Sequence, residues 1–98
     1  MKDLCLTDEN FVKLKALIMH ENLRQLEKWG VQDHSPESWL MFATEELGET
    51  AQAIGECEYR GGLAEDVVKE AIQTATLMLK IAEMFQDLLV TPNKEVTD

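Results

Sequence analysis

Four side chains with metal-binding chemistry occur as two pairs in the middle of the sequence. Glu46 and Glu49 lie three residues apart, and so do Glu70 and Gln73. On an α-helix this spacing brings the two members of each pair to one face, close enough to share a ligand. Three carboxylates and one amide carbonyl form an oxygen-only site, which Mg²⁺ or Mn²⁺ prefers and thiolate-binding metals do not. The spacing therefore indicates a metal-dependent enzyme that acts on phosphates.

The first pair belongs to a predicted helix that begins at Ser35, a favourable N-cap, followed by Pro36 at the first helical position. Its apolar arc contains Trp39, Phe42, Ala43, Leu47, Thr50 and Ile54. Glu46 falls within this arc and Glu49 at its edge, whereas Glu45 points toward solvent. An acid-rich helix is often only a solvated face. Glu46 argues against that interpretation, because a carboxylate among apolar neighbours is costly and no Lys or Arg lies three or four residues away.

The second pair belongs to a predicted helix that begins after Gly61-Gly62, a strong helix breaker, and ends before Thr91-Pro92. From residue 67 to residue 89 this segment is apolar over most of its circumference, which is typical of a helix buried on several sides. Glu70 shares a column with Leu77, so it also faces inward. Two inward-facing acid sites on neighbouring helices are hard to explain as solvation.

These features resemble the MazG-like family of all-α nucleoside triphosphate pyrophosphohydrolases, in particular its small phage and bacterial members. The family pattern is EExxE, a spacer and ExxD, and this chain has Glu45-Glu46-x-x-Glu49 followed by Glu70. The resemblance spans roughly residues 20 to 85 and includes the upstream segment Arg24-Gln25-x-x-Lys28-Trp29-Gly30-x-Gln32-x-His34 and Trp39-Leu40. One departure is Gln73, which stands where the family has Asp and brings no charge to a hard cation.

The resemblance implies that the protein hydrolyses a nucleoside triphosphate, ribo or deoxy, to the monophosphate and pyrophosphate, with Mg²⁺ or Mn²⁺ as cofactor. Glu46, Glu49 and Glu70 are the expected metal ligands, with Gln73 as a weaker fourth ligand or a water-holding group. Glu45 is a candidate for positioning or deprotonating the attacking water. The alternative is a non-catalytic all-α interaction or regulatory module with a degenerate metal site, which Gln73 favours.

Three further residues are candidates for substrate binding. Lys80 lies two turns beyond Gln73 and near its face, and Lys28 lies near a helix end, so both are candidates for contacting a phosphate. Trp29 is a candidate for stacking on a base. The competing interpretations are ordinary surface cations and a core or interface tryptophan.

Composition bounds the possible partners and location. The net charge of −10 argues against binding of nucleic-acid polymers but not of a nucleotide, because a metal would screen the acids. Two cysteines, Cys5 and Cys57, fit a reducing cytoplasm. We expect no membrane span, and one domain over residues 1–98, with residues 91–98 as a polar, mobile tail.

The sequence predicts an all-α fold with three main helices per chain. The first runs from about Thr7 or Asp8 to Lys28. It carries two apolar stripes, Phe11-Leu14-Ile18 and Val12-Ala16-Met19-Leu23-Leu26. One stripe is enough for packing inside the subunit, so the second indicates contact with another chain. We therefore expect a homodimer that completes a four-helix-type bundle, or a tetramer of two dimers.

Overall fold

The computed structural model describes Leu4 and residues 6–89, and the described part contains three α-helices and no strand. These are α1 (Asp8–Trp29), α2 (Pro36–Tyr59) and α3 (Ala64–Gln86). The all-α class and the number of helices are therefore confirmed. None of the described helices combines the length and the hydrophobicity needed to cross a bilayer. Cys5 and the predicted tail, residues 91–98, lie outside the described residues.

The first two helices begin where their capping residues predict. The Thr7 hydroxyl accepts a hydrogen bond from the Asn10 backbone N–H at 3.4 Å, and Ser35 accepts one from the Ser38 N–H at 3.2 Å. Each bond satisfies a backbone donor that the first helical turn leaves without a partner. Pro36 occupies the first turn of α2, as expected.

A tight turn joins α2 to α3 and makes the two helices neighbours. Gly61 has a φ of 76°, a conformation that glycine adopts without the steric cost other residues meet. The Gly62 N–H donates to the Glu56 carbonyl at 2.8 Å, and a Cβ at Gly62 would lie 2.8 Å from the Glu56 Cβ. Glycine is thus needed at position 61 for its backbone conformation and at position 62 for the lack of space for a side chain. α3 then ends at Gln86, before Thr91-Pro92 as predicted.

α3 is the central element of the fold. It packs against both α1 and α2, whereas the Cα atoms of α1 and α2 nowhere approach within 8 Å in the described part. The core is small: Trp39, Ala43 and Leu77 are buried, with Phe42 and Ile81 packed against them. No large side chain of the described residues is fully enclosed. A cleft therefore remains between α1 and α2, with α3 at its base.

Much apolar surface stays exposed on the single chain. In the second predicted stripe of α1 every residue is exposed, while Leu14 and Ile18 of the first stripe are half-buried. The outer face of α3 is also open in the single chain; its exposed large apolar residues are Val68, Met78, Leu79, Met84 and Phe85. On α2, Leu47 and Ile54 belong to the predicted arc but are 59% and 45% exposed. The radius of gyration, 15.7 Å, exceeds the value of about 13 Å typical of a compact 100-residue domain.

Candidate metal centre

Three carboxylates converge where α2 faces α3. Glu46 and Glu49 extend from α2 and Glu70 from α3, and one oxygen from each lies within 4.8 Å of the others. Glu46 and Glu70 are half-buried, whereas Glu49 is exposed at the edge. The structure therefore brings together the three acids that the sequence proposed as ligands.

A pair of threonines fixes the register that lets these acids meet. The hydroxyls of Thr50 and Thr74 lie 3.2 Å apart across the α2–α3 interface. Each threonine follows one of the acids by four residues, and its hydroxyl lies within 3.0 Å of that acid's backbone carbonyl, at Glu46 or Glu70. The close approach of the threonines thus shows that Glu46 and Glu70 lie at the same level of the two helices. A slip of one turn, about 5.4 Å, would separate the carboxylates.

The cluster is electrostatically unfavourable without a cation. The Oε2 atoms of Glu46 and Glu70 are both buried, and neither has a hydrogen-bond donor among the described residues. Burial, together with the nearby charges of Glu49 and Glu70, raises the pKa of Glu46 to about 7. A proton held on Glu46 can supply a donor between the carboxyl groups. A proton on Glu46 would thus relieve part of the repulsion among the three acids in the metal-free site.

The donor set fits a hard divalent cation. Oxygen ligands on opposite sides of Mg²⁺, each about 2.1 Å away, are separated by about 4.2 Å. The carboxylate oxygens already lie within 4.8 Å of one another, so side-chain rotations are enough to close the site. A cation would also compensate the two buried Oε2 atoms.

A cleft of about 290 Å³ lies beside the acid cluster, between α1 and α2. Glu45 and Gln73 both line it, together with Glu46. Glu45 is exposed, as expected, and Gln73 is half-buried. The two remaining residues of the predicted catalytic and metal set thus face the same space as the buried acid. The other lining residues are Glu21, Arg24, Gln25, Trp29, Gln32, Trp39, Phe42 and Leu77.

The predicted substrate-binding residues divide between this cleft and its surroundings. Trp29 lines the cleft and is 50% exposed, but neither Lys28 nor Lys80 is part of the cleft wall. The Lys28 ammonium lies 4.7 Å from the centre of the Trp29 ring. Lys80 donates to the Asn22 side-chain carbonyl at 2.9 Å and lies 5.4 Å from the centre of the Trp39 ring. Lys80 lines a neighbouring cleft of about 230 Å³, which shares Trp39 with the first.

His34 lies in the loop between α1 and α2, as expected, and it is also part of an aromatic cluster. Its ring lies edge-on to Trp39 and Phe42, with ring centres 4.9 and 5.1 Å away. Its Nε2 atom is buried and has no hydrogen-bond partner in the described part of the chain. His34 therefore helps to build the wall between the two clefts.

A network on α1 was missed by the sequence analysis. Glu21 is buried, at 7% exposure, and accepts both Arg24 Nε at 2.9 Å and Arg24 Nη2 at 2.8 Å. Gln25 Nε2 donates to the same carboxylate at 2.7 Å. Burial alone would raise the pKa of Glu21, but these hydrogen bonds and the charge of Arg24 outweigh burial and lower it. The spacing of Arg24 and Gln25, three and four residues after Glu21, could have indicated this network from the sequence.

Comparisons with protein-family profiles, with curated proteins and with solved structures gave no match for this chain.

Proposed function

We propose that this protein is a metal-dependent nucleoside triphosphate pyrophosphohydrolase, which converts a nucleoside triphosphate and water to the monophosphate and pyrophosphate. The observation that carries the proposal is the convergence of Glu46, Glu49 and Glu70 within 4.8 Å, with two buried oxygens that lack donors. Such an arrangement costs folding free energy unless a cation or a proton compensates it. Mg²⁺ is the proposed cofactor, and Mn²⁺ an alternative, because all the donors are hard oxygens.

The chemistry of the neighbouring cleft supports a phosphate substrate. When bound, a divalent cation neutralises phosphate oxygens and lowers the pKa of water. In this proposal Glu46, Glu49 and Glu70 hold that cation. Glu45 orients the attacking water or accepts its proton, since it is exposed and lines the cleft beside Glu46. The cleft volume of about 290 Å³ is close to the lower end of the range for small-molecule sites.

Trp29 and Lys80 keep different roles in the proposal. Trp29 lines the cleft and offers an apolar surface to a base. Lys80 lies behind Trp39, in the neighbouring cleft, so it contacts the substrate only if the substrate reaches past Trp39. Lys28 acts through its contact with Trp29.

We also propose that the chain acts as a homodimer or a homotetramer. The exposed stripe of α1 and the open outer face of α3 support this, because large apolar patches on a small domain are typical of contact surfaces. A four-helix-type bundle would bury both. We expect the protein to work in the cytoplasm, where its low cysteine content fits a reducing environment.

The second candidate is a non-catalytic all-α module that keeps the acid cluster without turnover. Gln73 favours this candidate, because a neutral amide lines the cleft where the resembling family has a carboxylate. Release of pyrophosphate from a panel of ribo- and deoxyribonucleoside triphosphates, with Mg²⁺ or Mn²⁺, separates the two functions. We expect release that depends on metal and is lost in Glu46→Gln. No release with any substrate or metal would favour the non-catalytic module.

A further inference from the structure

Arg24 is held in a fixed orientation beside the acid cluster. Both its Nε and its Nη2 donate to the carboxylate of Glu21, so the two side chains form a bidentate ion pair. Gln25 donates to the same carboxylate at 2.7 Å and so orients it. The bond to Glu21 raises the pKa of Arg24, with a smaller contribution from the charge of Glu46. Arg24 is therefore charged, oriented and close to the candidate metal centre.

The guanidinium keeps donors that no described residue uses. Arginine has five N–H groups, and the two bonds to Glu21 leave three of them. Arg24 lines the cleft together with Glu46, and its side chain is 42% exposed, so these donors are accessible to a ligand. A guanidinium presents its donors in a planar fork that matches the oxygens of a phosphate.

Trp29 supports the same orientation. The Arg24 Cζ lies 5.7 Å from the centre of the Trp29 ring, within the range of a cation–π contact. The Lys28 ammonium approaches the same ring at 4.7 Å. Two cations thus already contact the indole. Arg24 is the one whose side chain forms part of the cleft wall.

We propose that Arg24 binds the phosphate chain of the substrate, and that Glu21 and Gln25 are positioning residues that hold its guanidinium for this purpose. The inference rests on the proposed function, since it assigns a ligand to one wall of the same cleft. A structural role alone predicts something different. If Arg24 served only to compensate buried Glu21, its unused donors would have no ligand and its removal would affect folding without affecting phosphate binding.

The test measures binding of inorganic triphosphate, which carries the charge of the substrate without a base or sugar. Calorimetry with saturating Mn²⁺ compares the natural protein with Arg24→Gln, Arg24→Lys and Glu21→Gln. We expect Arg24→Gln to weaken triphosphate binding about ten- to a hundredfold, as loss of charge-assisted hydrogen bonds does. Arg24→Lys keeps the positive charge but loses the planar array of donors. Its affinity for triphosphate should therefore lie between those of the natural protein and Arg24→Gln. Glu21→Gln should also weaken binding, because the guanidinium loses its anionic partner.

Two further measurements, of Mn²⁺ binding without triphosphate and of helix content, distinguish a phosphate-binding role of Arg24 from a structural role. Both should stay unchanged in the Arg24 variants, because Arg24 is not a proposed metal ligand. The matched control is Arg60→Gln, since Arg60 lies at the end of α2 and pairs there with Glu56 at 3.9 Å. This control should bind triphosphate as the natural protein does.

Three results would overturn the inference, and they differ in what they say about the proposed function. If the natural protein binds triphosphate and Arg24→Gln binds it equally well, Arg24 is not a phosphate ligand and the proposed function stands. If Arg24→Gln loses Mn²⁺ binding or helix content together with triphosphate binding, its role is structural. If the natural protein binds Mn²⁺ but neither binds triphosphate nor releases pyrophosphate, the proposed function fails and the inference fails with it.

Discussion

The substitution Glu46→Gln should stabilise the metal-free protein at neutral pH. Glu46 is half-buried and faces Glu49 and Glu70, and its Oε2 has no donor. Glutamine keeps the shape of the side chain, removes the charge and brings an N–H₂ group that can donate to the neighbouring carboxylates. A substitution at a ligand of the proposed active site thus increases stability while it removes activity.

The magnitude follows from the pKa of Glu46, which rises from 4.5 to about 7 on folding. At about 1.4 kcal/mol per pH unit, this difference corresponds to at most about 3.5 kcal/mol. Because Glu46 is only half-buried and lines the open cleft, screening by solvent reduces the expected effect to about 1–2 kcal/mol. For a domain of this size, that corresponds to a rise in melting temperature of roughly 4–16 °C.

The sign gives the effect a characteristic pH dependence. The folded protein binds more protons than the unfolded chain between pH 4.5 and about 7, because the pKa of Glu46 is higher in the folded state. Its contribution to stability is therefore present below pH 4.5, is lost as the pH rises to about 7, and changes little above that. The Glu46→Gln protein should not show this decrease in stability, because the glutamine side chain does not titrate. The two proteins should be nearly equal in stability at about pH 4.5 and differ most at about pH 8.

Urea unfolding followed by circular dichroism, with a chelator present and a fixed protein concentration, measures this difference at both pH values. Glu58→Gln is the matched control, because Glu58 is an exposed acid on the same helix. Addition of Mg²⁺ should then reverse the order, since a ligand stabilises only the protein that binds it. A metal-free Glu46→Gln protein that is less stable at about pH 8, or whose stability difference is the same at both pH values, would refute the reasoning.

Three other predictions follow from the same structure. Glu49→Gln should weaken Mn²⁺ binding in calorimetry by at least about tenfold, whereas Glu58→Gln should not; equal binding would remove Glu49 from the site. Light scattering at micromolar concentration should give at least twice the chain mass of 11.1 kDa, and Leu23→Glu should reduce it; a natural protein that is a monomer contradicts the proposed assembly. Gln73→Asp should tighten Mg²⁺ binding and keep or increase pyrophosphate release, and weaker Mg²⁺ binding would show that Gln73 is not near the metal.

The sequence predicts best what depends on neighbouring residues. The starts of α1 and α2 follow from Thr7 and Ser35, whose side chains cap backbone groups only three residues away. The convergence of the acids was predictable for a similar reason. Glu46 lies in the apolar arc of α2 and Glu70 in that of α3, so both had to turn toward whatever packs there.

Contacts between distant parts of the chain could not be predicted from the helical periodicity of the sequence. Lys80 was placed near the face of Gln73 as a candidate for a phosphate contact, and no pattern indicated its bond to Asn22, which is 58 residues away in the sequence. A helical pattern shows that a side chain faces the core, not which side chain it meets. Leu47 illustrates the same limit, because it belongs to the apolar arc yet is 59% exposed. An apolar stripe does not distinguish packing within one chain from packing between two chains.

The positions of three cationic side chains show whether the acid cluster is compensated within the fold. Lys80 bonds to Asn22, Arg60 pairs with Glu56, and Arg24 is gripped by Glu21, so each of these charges has a partner elsewhere. None of the ion pairs in the described part of the chain includes an acid of the cluster. A structural acid pair is normally compensated inside the fold, because an uncompensated one costs stability. The charge of Arg24 acts on Glu46, but its hydrogen bonds go to Glu21. The absence of a direct cationic partner for the cluster supports the proposal that a proton or a bound cation supplies the remaining compensation.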